Sequence, residues 1–137
     1  MSNPFRKEHR GPGLMEPISH YCDAVSYGGL VFVSGCAPVD KSGAVVSDDV
    51  LEQTRQVFRN IDAALQEAGS GIDQILKVTV YLVDVDDLKR VDVARREVFG
   101  DVRPASTLVE VSRLAIPGML VEIEAVAAIH AAPDQKY

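Results

Sequence analysis

The segment 119–129, MLVEIEAVAAI, limits the fold more sharply than any other part of the chain. Strand alternation divides it into two sets. Val121, Ile123, Ala125, Ala127 and Ile129 form one apolar face, while Leu120, Glu122, Glu124, Val126 and Ala128 form another that is also largely apolar. A strand of this kind needs cover on both sides. Helices of its own chain can supply one cover, but an uncovered apolar sheet face usually meets a partner. The segment therefore predicts a strand of an α+β sheet and a homo-oligomer, with Glu122 and Glu124 near the subunit boundary.

The helices that would cover the first face are legible. Val50, Thr54, Val57, Phe58, Ile61, Leu65 and Ala68 recur at three- and four-residue steps and make one stripe. Asp49 with Glu52 has capping-box spacing, and Gly69 stops the helix. Asp86 or Asp87 caps a second helix with Leu88, Val91, Ala94 and Val98 inward and Gly100 past its end. β-branched and alternating runs predict a hairpin around Gly28-Gly29, ending with Leu30–Ser34. Further strands are predicted at 75–84, 105–111 and 119–129, with a short extra pairing near Val39–Val45. Residues 1–17 read as an irregular arm, 18–130 as one domain and 131–137 as a tail.

Composition narrows the function classes. The net charge is −6, aromatics are 6% and there is no Trp, so neither a phosphate-binding surface nor a base-stacking platform is expected, and no nucleic-acid partner. The basic run FRKEHR is broken by Glu8 and reads as a solvated arm. Two cysteines without metal or redox spacing, three scattered histidines and no long apolar run give no metal, no membrane partner and a reduced, cytoplasmic location as the expectation.

Three stretches carry a resemblance: YCDAVSYGGLVFVSGCAPVD, AGSGIDQILKVTVYLVDVDDL and RPASTLVEVSRLAIPGMLVEIEAVA. Together they resemble the Rid family (YjgF/YER057c/UK114), the reactive imine/enamine deaminases, over about residues 17–130. The resemblance implies a chorismate-mutase-like α+β subunit, a mixed sheet with two helices on one face, assembled as a homotrimer. It implies clefts between subunits in which small 2-imino acids or enamines are hydrolysed to a keto acid and ammonia without a cofactor. Tyr21 stands at a pocket tyrosine, Ser34 and Gly35 at a cleft-lining Ser-Gly pair, and Glu122 at a glutamate that handles the attacking water. Thr107 and the backbone at Ala105 match a substrate-contact segment.

One departure is central. Deaminating members read Pro-Ala-Arg-Ser, and their arginine grips the substrate carboxylate. Here Ser106 stands at that position. A hydroxyl cannot replace a bidentate guanidinium pair, whose charge-assisted bonds are worth roughly 1.5–3 kcal/mol. Cys36 stands where glutamine is frequent, Asp92 where asparagine is common, and His20 replaces a proline.

A carboxylate in an apolar cleft tends toward a raised pKa, which suits Glu122 to acid–base work. Glu124 reads as half of a structural ion pair, and Arg113 as surface charge. Arg103 is a candidate for the lost arginine's role, although an odd offset along a strand turns its side chain to the other face unless Pro104 bends the chain. Cys36 is a nucleophile only with a base beside it and is otherwise a packing residue, with Cys22 weaker still. His20 is either a cleft donor or a loop histidine. Two functions stay open: a hydrolytic deaminase acting on an imine or enamine that is not necessarily a simple 2-imino acid, and a small-molecule-binding or regulatory trimer without turnover.

Overall fold

The computed structural model describes residues 3–130, so the tail at 131–137 lies outside the described residues. Six strands form one sheet: β1 (Arg6–His9), β2 (Ala24–Tyr27), β3 (Leu30–Cys36), β4 (Ile75–Leu82), β5 (Ala105–Glu110) and β6 (Val121–Ala128). Their order is β1-β2-β3-β6-β4-β5. β4 and β5 run parallel and every other pairing is antiparallel. Helices α1 (Val50–Glu67) and α2 (Leu88–Phe99) pack together on one face. The class is the α+β arrangement read from the sequence, and the predicted bridge between Val39 and Val45 is present.

The stripe of α1 is buried along its whole length and meets Val31, Val33, Val78, Val80, Leu82 and the 121, 123, 125 and 127 set of β6. Asp49 caps α1 by accepting the Glu52 amide at 3.2 Å. The second helix begins differently from expectation. Asp87 makes no side-chain cap; instead Asp84 caps a short 3-10 turn, Val85–Asp87, that leads into α2. Leu88 is consequently exposed, and the inward positions are Val91, Ala94 and Phe99, with Val98 packed at the margin.

The lead-in is not wholly irregular. Residues 6–9 pair with β2 as the sheet's outermost strand, even though Arg6, Lys7 and Glu8 keep exposed side chains. The segment after it is tied down by Asp23, which is buried and accepts from the Gly11 amide at 2.8 Å and Arg10 Nε at 3.0 Å.

Opposite the helices the sheet has no cover among the described residues. Phe32 is 47% exposed and Tyr27 52%, and Leu30 and Val109 lie open as well. Register places Val126 and Ala128 beside Phe32 and Leu30 on that same face.

Candidate functional site

An irregularity in β3 creates the site. Val33 is opposite Ala125 on β6, but the next partners are Cys36 and Ile123, so three steps on β3 match two on β6. Ser34 and Gly35 occupy this bulge, a device that re-aims side chains and recurs beside active sites. The Ser34 amide donates to the Asp23 carbonyl at 3.0 Å and its hydroxyl donates to the Cys22 carbonyl at 2.7 Å. Both Ser34 protons are thus committed, and the hydroxyl oxygen can only accept from a ligand.

Gly35 is there because Glu122 is. A Cβ built on Gly35 would overlap the Glu122 carboxylate at Oε1. Glu122 is opposite Tyr81 in the register and projects away from the helices. Burial raises its pKa above the usual glutamate range, and the nearby Glu124 charge adds to the rise, with no hydrogen bond acting against it. Among the described residues Glu124 does not form the ion pair expected of it. The Tyr81 hydroxyl donates to its Oε1 instead, and that bond raises the tyrosine's own pKa, with burial and the two glutamates adding.

Around Glu122 lies a cleft of about 380 Å³, a size suited to a small molecule. Tyr21, Ser34 and Gly35 line it with Glu122, so these four sequence candidates converge. Met15, Ile18, Ala115, Ile116 and Met119 supply apolar walls that the sequence reading did not identify. The Ile18 amide donates to the Tyr21 hydroxyl oxygen at 3.4 Å.

Two side-chain amides, Gln53 buried and Asn60 half-buried, fix the walls. Gln53 Nε2 donates to the Ser47 and Gly118 carbonyls at 2.8 and 2.9 Å, and its Oε1 accepts from the Leu120 amide at 2.7 Å. Asn60 Nδ2 donates to the Ala37 and Val39 carbonyls at 2.9 and 3.0 Å. Gln53 was detectable: it interrupts the apolar stripe between Val50 and Val57, where a polar side chain needs partners.

Cys36 lies behind the cleft and lines a small adjoining cavity with Asp23 and Asn60. Burial pushes its thiol up to about 12, and Asp23 and Glu122 reinforce the shift, so near neutrality it is not a thiolate. It packs against the core. Cys22 directs its thiol to the Ala24 carbonyl at 3.3 Å. His20 is exposed and does not line the cleft.

The remaining candidates lie elsewhere in the single chain. Ala105 pairs with Lys77, whereas Glu122 sits at the level of Tyr81 and Val109, about 13 Å further along the strands. Thr107 shares the open face and accepts from Lys77 Nζ at 2.7 Å. Ser106 is in register with buried Val78 and so faces the helix side. Arg103 lines a separate pocket at the end of α2, together with Asp92, which pairs with Arg96 at 2.7 Å. Arg113 is exposed on the loop between β5 and β6.

Comparison with known proteins adds a name to this geometry. The Endoribonuclease L-PSP family model matches residues 13–129. A RutC family protein of Pyrococcus abyssi is 42% identical over 82% of this chain and 88% of its own length. The 2-iminobutanoate/2-iminopropanoate deaminase of Salmonella typhimurium is 35% identical over 80% of this chain and 88% of its own. A Yersinia pestis structure described as a conserved Rid family protein of unknown function superposes with a TM-score of 0.85 at 34% identity. It covers 90% of this chain and 99% of its own.

Proposed function

Since the chain belongs to the Rid family, by a family model spanning residues 13–129 and by relatives above 30% identity, we propose that it hydrolyses a small imine or enamine, releasing ammonia. The observation that carries this reading is the Glu122 carboxylate, raised in pKa and seated against Gly35 in an apolar-walled cleft. The deaminase relative of Salmonella supports it as the related protein with a named activity of this kind.

The chemistry needs little apparatus. Water adds to the C=N carbon, giving a carbinolamine; the C–N bond then breaks, leaving a carbonyl compound and ammonia. Glu122 takes the proton from the attacking water and returns it to the departing nitrogen, so one carboxyl serves as base and then acid. Tyr21 and the Ser34 oxygen orient the substrate, and the apolar walls limit bulk water. The working unit in this reading is a homotrimer, in which the edge strand β5 of a neighbour, with Ala105, Ser106 and Thr107, adjoins the cleft.

A second reading has one observation behind it: among the described residues, no lysine or arginine lines the Glu122 cleft. A cleft without a cation suits an uncharged ligand and a binding role without turnover.

Glu122→Gln separates the two. Under the first reading imine hydrolysis, followed with a dehydratase-generated 2-imino acid and semicarbazide trapping, falls by about 10²–10⁴-fold. Wild-type turnover falls as pH drops through the raised Glu122 pKa, at a higher pH than for an ordinary glutamate. Stability has the opposite sign. A carboxyl with a raised folded pKa stabilises the fold fully below its unfolded pKa, and that contribution is lost as pH rises through the folded value. The glutamine variant should therefore melt above wild type near neutrality, with the gap closing in acid. Wild type without imine hydrolysis sinks the enzymatic reading, and a variant that still turns over at the wild-type rate removes Glu122 from it.

A further inference from the structure

Among the described residues the Glu122 cleft has no cation, yet three concentrate at another concavity. A pocket of about 260 Å³ lies between the end of α2 and the approach to β5 and includes Arg95, Arg96 and Arg103 against the single carboxylate of Asp92. This stands out in a chain whose net charge is −6. Asp92 Oδ2 is occupied by Arg96 Nε at 2.7 Å. Arg95 and Arg103 have no hydrogen-bonded or ion-pair partner among the described residues.

Their bland explanation is the helix dipole, since cations near a helix C-terminus gain about 0.3–1 kcal/mol. That accounts for Arg96, the basic residue of the last turn. It does not account for Arg95, which is half-buried, with a guanidinium whose charged form burial disfavours. Desolvating a guanidinium without a partner is a cost that an anion relieves. Arg103 is not on the helix at all. Phe99, Val102 and Pro104 give the same pocket an apolar side, and Phe99 is held edge-on against Phe58 with ring centroids 5.4 Å apart. Two free planar forks beside an apolar wall match a carboxylate on a short carbon skeleton.

The position is informative. Pro104, on the rim, directly precedes Ala105 and Ser106, and Ser106 faces the α2 side of the sheet. We propose that this pocket binds small carboxylates, with Arg95 and Arg103 supplying the anion recognition that Ser106 cannot. The preference for carboxylates over other anions rests on the deaminase reading; the existence of the site does not.

The test is a titration of the full chain with pyruvate at constant ionic strength, following the arginine Nε–H resonances by NMR. Binding is expected to be saturable, to move Arg95 and Arg103 but not Arg113, and to weaken by at least about tenfold in both Arg95→Gln and Arg103→Gln. Arg103 is exposed, so its variant keeps the test valid if the Arg95 variant folds poorly. Saturable pyruvate binding without imine hydrolysis by wild type would retain the pocket while removing the deaminase reading. Uniform shifts at all arginines, unaltered binding in both variants, or saturation by inorganic phosphate but not by pyruvate would each overturn the proposal.

Discussion

At the scale of single residues, the site depends on a glycine as much as on a carboxylate. Any side chain at Gly35 would contest the space that Glu122 Oε1 occupies. The obstructing atom is the end of a flexible side chain, so Gly35→Ala is inexpensive for folding and serious for geometry. We expect its stability in urea to stay within about 1 kcal/mol of wild type, since only a side-chain rotation is needed. Imine turnover should fall by at least about tenfold, because a displaced base loses its near-attack position. Equal turnover would show that the carboxylate need not sit where the structure places it. Tyr21, Ser34, Gly35 and Glu122 could be read from the sequence through their motifs. For Cys36 the sequence offers a packing role beside a nucleophilic one, and burial near two carboxylates distant in sequence favours packing.

At the scale of elements, α1 does more than cover the sheet. Through Gln53 it holds the loop before β6, and with it the start of the strand that carries Glu122. Gln53→Ala removes a buried side chain and leaves the Leu120 amide and two part-buried carbonyls without this partner, each such loss costing about 1–3 kcal/mol where water cannot enter. A destabilisation of about 2–4 kcal/mol in denaturant unfolding is the expected result. A change below about 0.5 kcal/mol, the range of an ordinary surface substitution, would mean the loop is held by its apolar contacts instead. Periodicity made α1 and the four long strands legible. It failed at β1, whose four residues RKEH carry no apolar alternation and whose place in the sheet rests on backbone pairing with β2. It also misplaced Leu88, because a 3-10 turn, invisible to a 3.6-residue pattern, shifts the start of α2.

At the scale of the whole molecule, the uncovered sheet face is what the double-sided character of β6 foretold. Phe32, Tyr27, Leu30 and Val109 form an apolar surface that a second copy can bury. Phe32→Glu places a charge in its middle without touching the core, since Phe32 is 47% exposed. If the face mediates assembly, light scattering will give wild type the mass of a trimer and the variant that of a monomer, with the circular dichroism unchanged. A variant that keeps the wild-type mass would show that copies meet elsewhere.

The two borders of the sheet differ in a way that bears on how the protein survives at high concentration. β1 ends it with Arg6, Lys7 and Glu8 pointing into solvent, while β5 ends it with ASTLVE, uncharged until its last residue. Strand-by-strand polymerisation requires each added copy to offer a fresh receptive border. Here a copy docked through β5 presents outward only β1, whose exposed Arg6, Lys7 and Glu8 side chains would lose water if a further strand were added. The charged border therefore opposes growth along the hydrogen-bonding direction and leaves the uncharged one as the side open to a further strand.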